Sequence, residues 1–126
     1  MQKHSLIIAG SRDYPRAKVL SILNEKKDHI LDNIYEVVCG MCHGPDLVGK
    51  EWAEENGIPV KKFPAEWNKY GKQAGFIRNK AMAEHATMLY AFWDGKSNGT
   101  KDMIKQARRI NLHVEVFLLE ESHVRV

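Results

Sequence analysis

The sequence contains only two cysteines, which excludes a framework of disulfide bonds as the basis of its stability. It also lacks linkers, repeats, low-complexity segments and any composition typical of disorder. With 126 residues it is long enough to bury a core, and we expect one domain spanning residues 1–126. The apolar run within Met1 to Gly10 is too short for a signal peptide or a membrane span. We therefore expect a cytoplasmic protein without membrane association.

The sequence also has little excess of charge of either sign. The formal net charge is +3, and basic and acidic residues are mixed along the chain rather than clustered. So small an excess is compatible with a phosphate-bearing ligand, but it does not by itself indicate a nucleic-acid-binding protein.

Short apolar segments alternate with amphipathic ones along the chain. The apolar, β-rich runs predict strands at Ser5–Ala9, Ile34–Cys39, Ile58–Phe63, Thr87–Trp93 and Val114–Leu119. The amphipathic segments predict helices at Arg16–Leu31, from Gly44-Pro45-Asp46 to Asn56, from about Ala74 to His85, and from the loop after Trp93 to about Ile110. A substantial loop is expected at Ala65–Gly75 and a polar tail at Glu120–Val126.

This alternation predicts an α/β fold. Strands that are apolar on both faces are typical of a parallel sheet covered by helices on each side, a Rossmann-like three-layer sandwich. With the strand order 3-2-1-4-5, the topological switch lies between strands one and four. Ligands in such sheets bind in the crevice at the carboxyl ends of the strands.

The stretch Leu89 to Thr100 is the most informative part of the sequence. An apolar run ends at Asp94, passes through Gly95 and Gly99, and opens the last amphipathic segment. A strand, a glycine-bearing loop and a helix start place several backbone N–H groups and the positive end of a helix dipole at one point, which favours an anion such as phosphate. The alternative is that the glycines only turn the chain.

Two further polar loops follow the strands next to the predicted switch point. Gly10-Ser11-Arg12 follows strand one, and Gly40 to Asp46 follows strand two. Arg12, and Arg78 on the third predicted helix, are candidates for binding phosphate oxygens through their guanidinium groups, although most arginines are simply solvated.

Other polar side chains have both a functional and a structural interpretation. Asn79 suits a ribose or a base edge, or a local cap, and Ser97 and Thr100 suit phosphate donation or helix capping. Asp94 suits a ribose hydroxyl or a turn. His43 suits a hydrogen bond to phosphate or a proton shuttle.

The aromatic side chains Trp67, Tyr70 and Trp93 are candidates for stacking on a base, against the alternative that they fill the core or brace a loop. Cys39-Gly40-Met41-Cys42-His43 has the C-x-x-C-H spacing of a haem, redox or metal site. We do not favour these three readings, because no export signal is present, Cys39 ends a buried strand, and the other histidines lack paired spacing. We therefore expect no metal and no cofactor.

Taken together, the motifs resemble the YspA (cpYpsA-related) family of the SLOG superfamily over nearly the whole chain. The motifs that carry the resemblance are Gly10-Ser11-Arg12-Asp13-Tyr14, Gly40 to Asp46, Trp52-Ala53, Gly57-Ile58-Pro59-Val60, Phe63 to Trp67, Gly71 to Asn79 and Ala91 to Thr100. The superfamily also includes the LOG-type nucleoside-monophosphate phosphoribohydrolases and the DNA-processing protein DprA. The resemblance implies a Rossmann-like fold that binds a nucleotide or a nucleotide-derived ligand.

The sequence departs from the LOG-type catalytic pattern. Gly99-Thr100 matches the Gly-Thr of the LOG motif Pro-Gly-Gly-x-Gly-Thr-x-x-Glu, but Met103 stands where that motif has its catalytic glutamate. Asp102 is one residue short, which turns its carboxylate about 100° around a helix. Cleavage of an N-glycosidic bond then requires another acid, Asp94 or Asp46.

Our sequence-based hypothesis is the binding of a nucleotide-derived ligand, such as an ADP-ribose-like molecule. A nucleotide-cleaving hydrolase, with His43 and Asp94 as catalytic candidates, and DprA-like binding of single-stranded nucleic acid are the alternatives. The LOG-type relatives also imply a homodimer, for which Trp67, Phe76 and Ile77 offer an apolar patch. The predicted ligand-binding residues are Gly10, Ser11, Arg12, Gly40, His43, Gly44, Asp46, Arg78, Asn79, Asp94, Ser97, Gly99 and Thr100.

Overall fold

The structure, a computed structural model, describes residues 3–119. The strands of this part of the chain are β1 (His4–Gly10), β2 (Ile34–Cys39), β3 (Val60–Lys62), β4 (Met88–Trp93) and β5 (His113–Leu118). Its helices are α1 (Arg16–Glu25), α2 (Lys27–Asn33), α3 (Pro45–Glu55), α4 (Trp67–Tyr70), α5 (Ala74–His85) and α6 (Asn98–Arg109), with a 3₁₀ turn at Gly71–Gln73. The predicted tail Glu120–Val126 lies outside the described residues.

The strands form one parallel sheet in the order β3-β2-β1-β4-β5. The central strand β1 pairs with β2 on one side and with β4 on the other, so that Ile7 lies beside both Val38 and Leu89. The predicted Rossmann-like α/β fold and its strand order are therefore confirmed.

Helices cover both faces of the sheet, because β1 and β4 are apolar on both sides. Leu6 and Ile8 of β1 pack in a core with Val19 of α1 and Trp52 of α3. The alternate residue Ile7 packs on the opposite face in a core that includes side chains of α5 and α6. Two separate apolar layers thus hold the strands rigidly and fix the positions of the loops at their ends.

The predicted first helix, Arg16–Leu31, is divided in the structure. The chain turns at Lys26, whose ψ of 9° interrupts the helix between α1 and α2. The sequence pattern does not reveal this break because Leu23 and Ile30, on either side of it, are both fully buried and keep the helical spacing.

Two more predicted boundaries differ from the structure. Strand β3 begins at Val60 rather than Ile58, because the Ile58 N–H closes the end of α3 on the Ala53 carbonyl and Pro59 has no N–H. The predicted loop Ala65–Gly75 contains the short helix α4 and the 3₁₀ turn. Within residues 3–119, no helix is both long and apolar enough to cross a bilayer.

Candidate ligand-binding site

A cleft of about 260 Å³ opens at the carboxyl edge of the sheet, at the topological switch point. Its wall is formed by the loops after β1, β2 and β4, by one face of α5, by the N-terminal part of α6, and by Trp67 of α4. Most of the predicted ligand-binding residues line it: Gly10, Arg12, His43, Asp46, Arg78, Asn79, Ser97, Gly99 and Thr100. Segments that are far apart in the sequence therefore meet here.

Ser11, one of the predicted residues outside the wall, ties the loop after β1 to the loop after β4. Its hydroxyl lies 3.3 Å from the Thr100 hydroxyl and accepts a hydrogen bond of 3.0 Å from the Asp94 N–H, and its own N–H donates to the Phe92 carbonyl. Ser11 is almost fully buried. These contacts hold the two loops in register at the site.

Asp94 also lies outside the wall, and its carboxylate stabilises a turn. One oxygen accepts hydrogen bonds of 2.8 Å from the N–H groups of both Lys96 and Ser97. These two donors hold the pKa of the Asp94 carboxyl below its ordinary value. An acid stabilised as the anion is a poor proton donor, so this geometry does not favour the catalytic role that the sequence offered to Asp94.

Arg78 is held in place within the cleft by three hydrogen bonds. Its Nε donates to Asn79 Oδ1 at 2.9 Å, and its Nη1 donates to the Gly40 carbonyl at 2.7 Å and to Cys42 Sγ at 3.3 Å. These bonds connect α5 to the loop after β2. The guanidinium is therefore pre-oriented, which reduces the entropy that a ligand must overcome to bind it.

Asn79, in the second turn of α5, joins this helix to the N-terminal part of α6. Its Nδ2 donates to the Gly99 carbonyl at 3.2 Å and to Asp102 Oδ2 at 3.0 Å, and the residue is only 4% exposed. Because Asn79 also accepts from Arg78, one chain of hydrogen bonds runs from α6 through α5 to the loop after β2. The two walls of the cleft are thus fixed relative to each other.

Asp46 is the acid that lines the cleft. It is 4% exposed, and its carboxylate accepts hydrogen bonds from the N–H groups of Gly10, at 3.3 Å, and of Cys42. Burial raises the pKa of Asp46 to about 6, although the Arg78 guanidinium acts in the opposite direction. This carboxyl can therefore change its protonation state near neutral pH.

Gly40 lies between Asp46 and Arg78, just behind the cleft wall. A Cβ at this position would lie 2.9 Å from Arg78 Nη1 and 2.9 Å from Asp46 Oδ2. At such a distance a side chain at this position would have to displace the end of the Arg78 or the Asp46 side chain, so glycine leaves room for both of them here. Gly44 likewise stays outside the wall and caps the start of α3.

The main-chain amides after β2 are partly occupied. The Met41 N–H donates to Cys39 Sγ at 3.3 Å, and the Cys42 N–H donates to the Asp46 carboxylate. At the start of α6, the Thr100 N–H donates to the Ser97 hydroxyl at 3.5 Å as a helix cap, whereas Gly99 lies in the first turn, where N–H groups have no intrahelical acceptor. The α6 end of the cleft is therefore the better place for an anion.

The two cysteines do not form a disulfide. Cys39 is fully buried, and burial raises the pKa of its thiol to about 11. Cys42 lines the cleft and contacts Arg78. Among residues 3–119, no three His, Cys, Asp or Glu side chains come together as a metal site would require.

Several lining residues were not selected as site residues from the sequence. Lys72, Gly75, Phe76 and Met82 line the cleft together with Asn79. Their spacing of three and four residues marks one face of a helix, and this pattern is the signal that identifies them. Of the aromatic candidates, Trp67 alone lines the cleft, and it is 57% exposed.

Comparison of the chain with known proteins identifies its family. Residues 5–70 match the model of the YspA, cpYpsA-related SLOG family. The matched segment covers β1, β2 and the two loops that follow them. The Gene 61 protein of Mycobacterium phage D29 is 31% identical over 84 residues, which cover 62% of this chain and 67% of that protein. The chain therefore belongs to the YspA, cpYpsA-related SLOG family, whose membership suggests the binding or processing of a nucleotide-related ligand.

Proposed function

We propose that this protein binds a nucleotide-derived ligand, such as an ADP-ribose-like molecule, in the cleft at the carboxyl edge of the sheet. The observation that carries the proposal is the combination, in one wall, of cationic side chains, a helix N-terminus and exposed aromatic rings. The volume of the cleft, about 260 Å³, is near the lower limit of the roughly 300–1,000 Å³ that small-molecule sites usually have. The cleft is therefore expected to hold the mononucleotide part of such a ligand.

The phosphate is assigned to the start of α6. This helix has 12 residues, and its N-cap Ser97 and its first-turn residues Gly99 and Thr100 line the cleft. The dipole and the N–H groups of a helix start attract anions. Arg12 lies on the neighbouring loop, is exposed, and supplies a full positive charge.

The base is assigned to the aromatic residues that line the cleft. Trp67 is 57% exposed and Phe76 is 43% exposed, and both line the cleft. Burying such rings against a base removes apolar surface from water and adds stacking energy. We therefore assign these two residues to the ligand rather than to the surface of a homodimer.

Cleavage of the ligand is the second candidate. Met103, at the position of the LOG-type glutamate, lines the cleft and is 1% exposed, so a thioether replaces the acid. The Asp102 carboxylate faces Asn79 and Gln106 instead. Asp46 supports cleavage as a second function, because its carboxyl lines the cleft and burial raises the pKa of that carboxyl. Release of a base from AMP or NAD, lost in Asp46→Asn, is its test.

DprA-like binding of single-stranded nucleic acid is weakly supported by the charge distribution, because the net charge is +3 and both signs are mixed. Such binding would weaken steeply as the salt concentration rises. Titration of a labelled oligonucleotide at several salt concentrations separates it from binding of a small ligand.

The proposal is tested by calorimetric titration of ADP-ribose, NAD and AMP into the wild type and two arginine variants. We expect Arg12→Ala to weaken binding of the best ligand about 10- to 100-fold, as expected for the loss of a hydrogen bond to a charged group. Arg16→Ala is the matched control, because Arg16 is exposed and paired with Glu51 outside the cleft. Absence of binding of all three ligands, or an equal effect of the two variants, would contradict the proposal.

A further inference from the structure

The strand order arranges the chemical groups of the cleft in a sequence along the sheet edge. Trp67 follows β3, Asp46 follows β2, Arg12 follows β1, and Ser97 follows β4. Since the spatial order is β3-β2-β1-β4, the edge presents an aromatic ring, a carboxyl, a guanidinium and a helix start, in that order. A nucleotide also has an ordered structure: base, ribose and phosphate.

The carboxyl in the middle of this series has a specific chemical requirement. An ionised carboxylate only accepts hydrogen bonds and repels a phosphate placed against it. Asp46 is only 4% exposed, and the N–H groups of Gly10 and Cys42 already satisfy part of its accepting capacity. The ligand group that contacts it must therefore be a small hydrogen-bond donor. Between a base and a phosphate, the donors of a nucleotide are the ribose hydroxyls.

We propose that Asp46 accepts hydrogen bonds from the ribose hydroxyls of the bound nucleotide, so that the cleft selects ribonucleotide-derived ligands over their deoxy counterparts. This inference rests on the proposed function and names the sugar that the same site requires. Acidic side chains after a strand bind ribose hydroxyls in other nucleotide-binding α/β sheets, where the sugar also lies between base and phosphate.

The surroundings of Asp46 keep it suited to this role. From α5, Arg78 approaches the same glycine as Asp46 Oδ2, and its positive charge favours the ionised form. From β2, the Cys39 thiol donates to the main-chain carbonyl of Asp46 and not to its carboxylate. At pH 7.5, above its pKa of about 6, the carboxyl is ionised and accepts from hydroxyls through short, charge-assisted hydrogen bonds.

The test is calorimetric titration of AMP, 2′-deoxy-AMP and 3′-deoxy-AMP into the wild type at pH 7.5, with ADP-ribose and 2′-deoxy-ADP-ribose as a second pair. We expect the wild type to bind at least one deoxy analogue about 10-fold or more weakly than its parent. This comparison needs no variant, so it does not depend on whether a substituted chain folds.

Asp46→Asn then identifies the group that discriminates. We expect this variant to bind the parent ribonucleotide more weakly and to lose most of the preference over the deoxy analogue. Asp32→Asn is the control, because Asp32 is exposed on α2 and outside the cleft. Equal wild-type affinities for parent and deoxy ligands, or an unchanged preference in Asp46→Asn, would overturn this inference alone. Failure of AMP and ADP-ribose to bind at all would overturn the proposed function together with it.

Discussion

At the scale of single residues, the site depends on a buried carboxyl and a guanidinium that both lie against Gly40. Gly40 leaves room for Asp46 and Arg78, because a Cβ there would lie 2.9 Å from a polar atom of each. Arg78 is fixed by the Gly40 carbonyl and by Asn79, whereas Asp46 is held by main-chain N–H groups. The charges are therefore positioned before any ligand arrives.

Ionisation of Asp46 makes the folded state less stable. Burial raises the pKa of Asp46 from 3.8 to about 6, so the folded chain holds this proton more tightly than the unfolded chain does. Between these two values the folded state is protonated and the unfolded state is not. The contribution of Asp46 to the free energy of unfolding consequently falls as the pH rises through this window, by about 3 kcal/mol at roughly 1.4 kcal/mol per pKa unit.

Substitution of this acid is therefore expected to have an effect on stability that depends on pH. Relative to the wild type, Asp46→Asn should gain stability between pH 4 and pH 8, because the amide never ionises. Urea unfolding of both proteins at several pH values measures the difference. A difference that stays constant from pH 4 to pH 8 would show that the Asp46 pKa is not raised.

The sequence identified many of these residues but not their exact roles. Arg12, Asp46, Arg78 and Asn79 were predicted from polar loops and from the family resemblance, and they line the cleft. Asp94 looked equally suitable in the sequence. The sequence left a turn open as its alternative role, and the Lys96 and Ser97 N–H groups that donate to its carboxylate favour that role, which residue types alone do not decide.

At the scale of elements, apolar periodicity predicted the strands and the long helices well. Helices α5 and α6 begin and end close to their predicted limits, and α6 has the clearer apolar face against the sheet, with Met103, Ile104 and Ala107. The short helix α4 was missed because all four of its residues are exposed, which leaves no apolar pattern to read. This short helix matters for function because it holds Trp67 at the cleft.

The close packing of α3 on the sheet gives an element-scale prediction. A Cβ on Gly49 would lie 2.5 Å from Ile8 Cγ2, and Ile8 is fully buried in β1. We expect Gly49→Ala to destabilise the protein by about 1–3 kcal/mol, because either the helix or the strand must move. Thermal unfolding measures the effect.

Gly99→Ala is the matched control for that experiment. Gly99 also lies in a helix, but no atom is within 4 Å of the position that its Cβ would occupy. Alanine favours helices over glycine by up to about 1 kcal/mol, so the melting temperature should stay the same or rise slightly. Equal destabilisation by the two substitutions would contradict the packing of α3 against β1.

At the scale of the whole molecule, the sheet brings together loops that are distant in the sequence. The alternation of strands and helices predicted the parallel sheet, and the strand order β3-β2-β1-β4-β5, taken as the expected one of the doubly wound orders, is confirmed, together with the edge at which the loops meet. The contribution of α5 was harder to predict, because the position of a helix across the sheet depends on packing against α6 rather than on local pattern. The face of α5 that carries Phe76 and Asn79 closes the cleft.

The most direct test of the account is a crystal structure of the protein soaked with ADP-ribose. We predict ligand density in the cleft, with a phosphate oxygen about 2.7–3.2 Å from the Gly99 amide nitrogen, the adjoining ribose at Asp46 and the base against Trp67. Density for the ligand at another surface, or a cleft without ligand at saturating concentration, would contradict it.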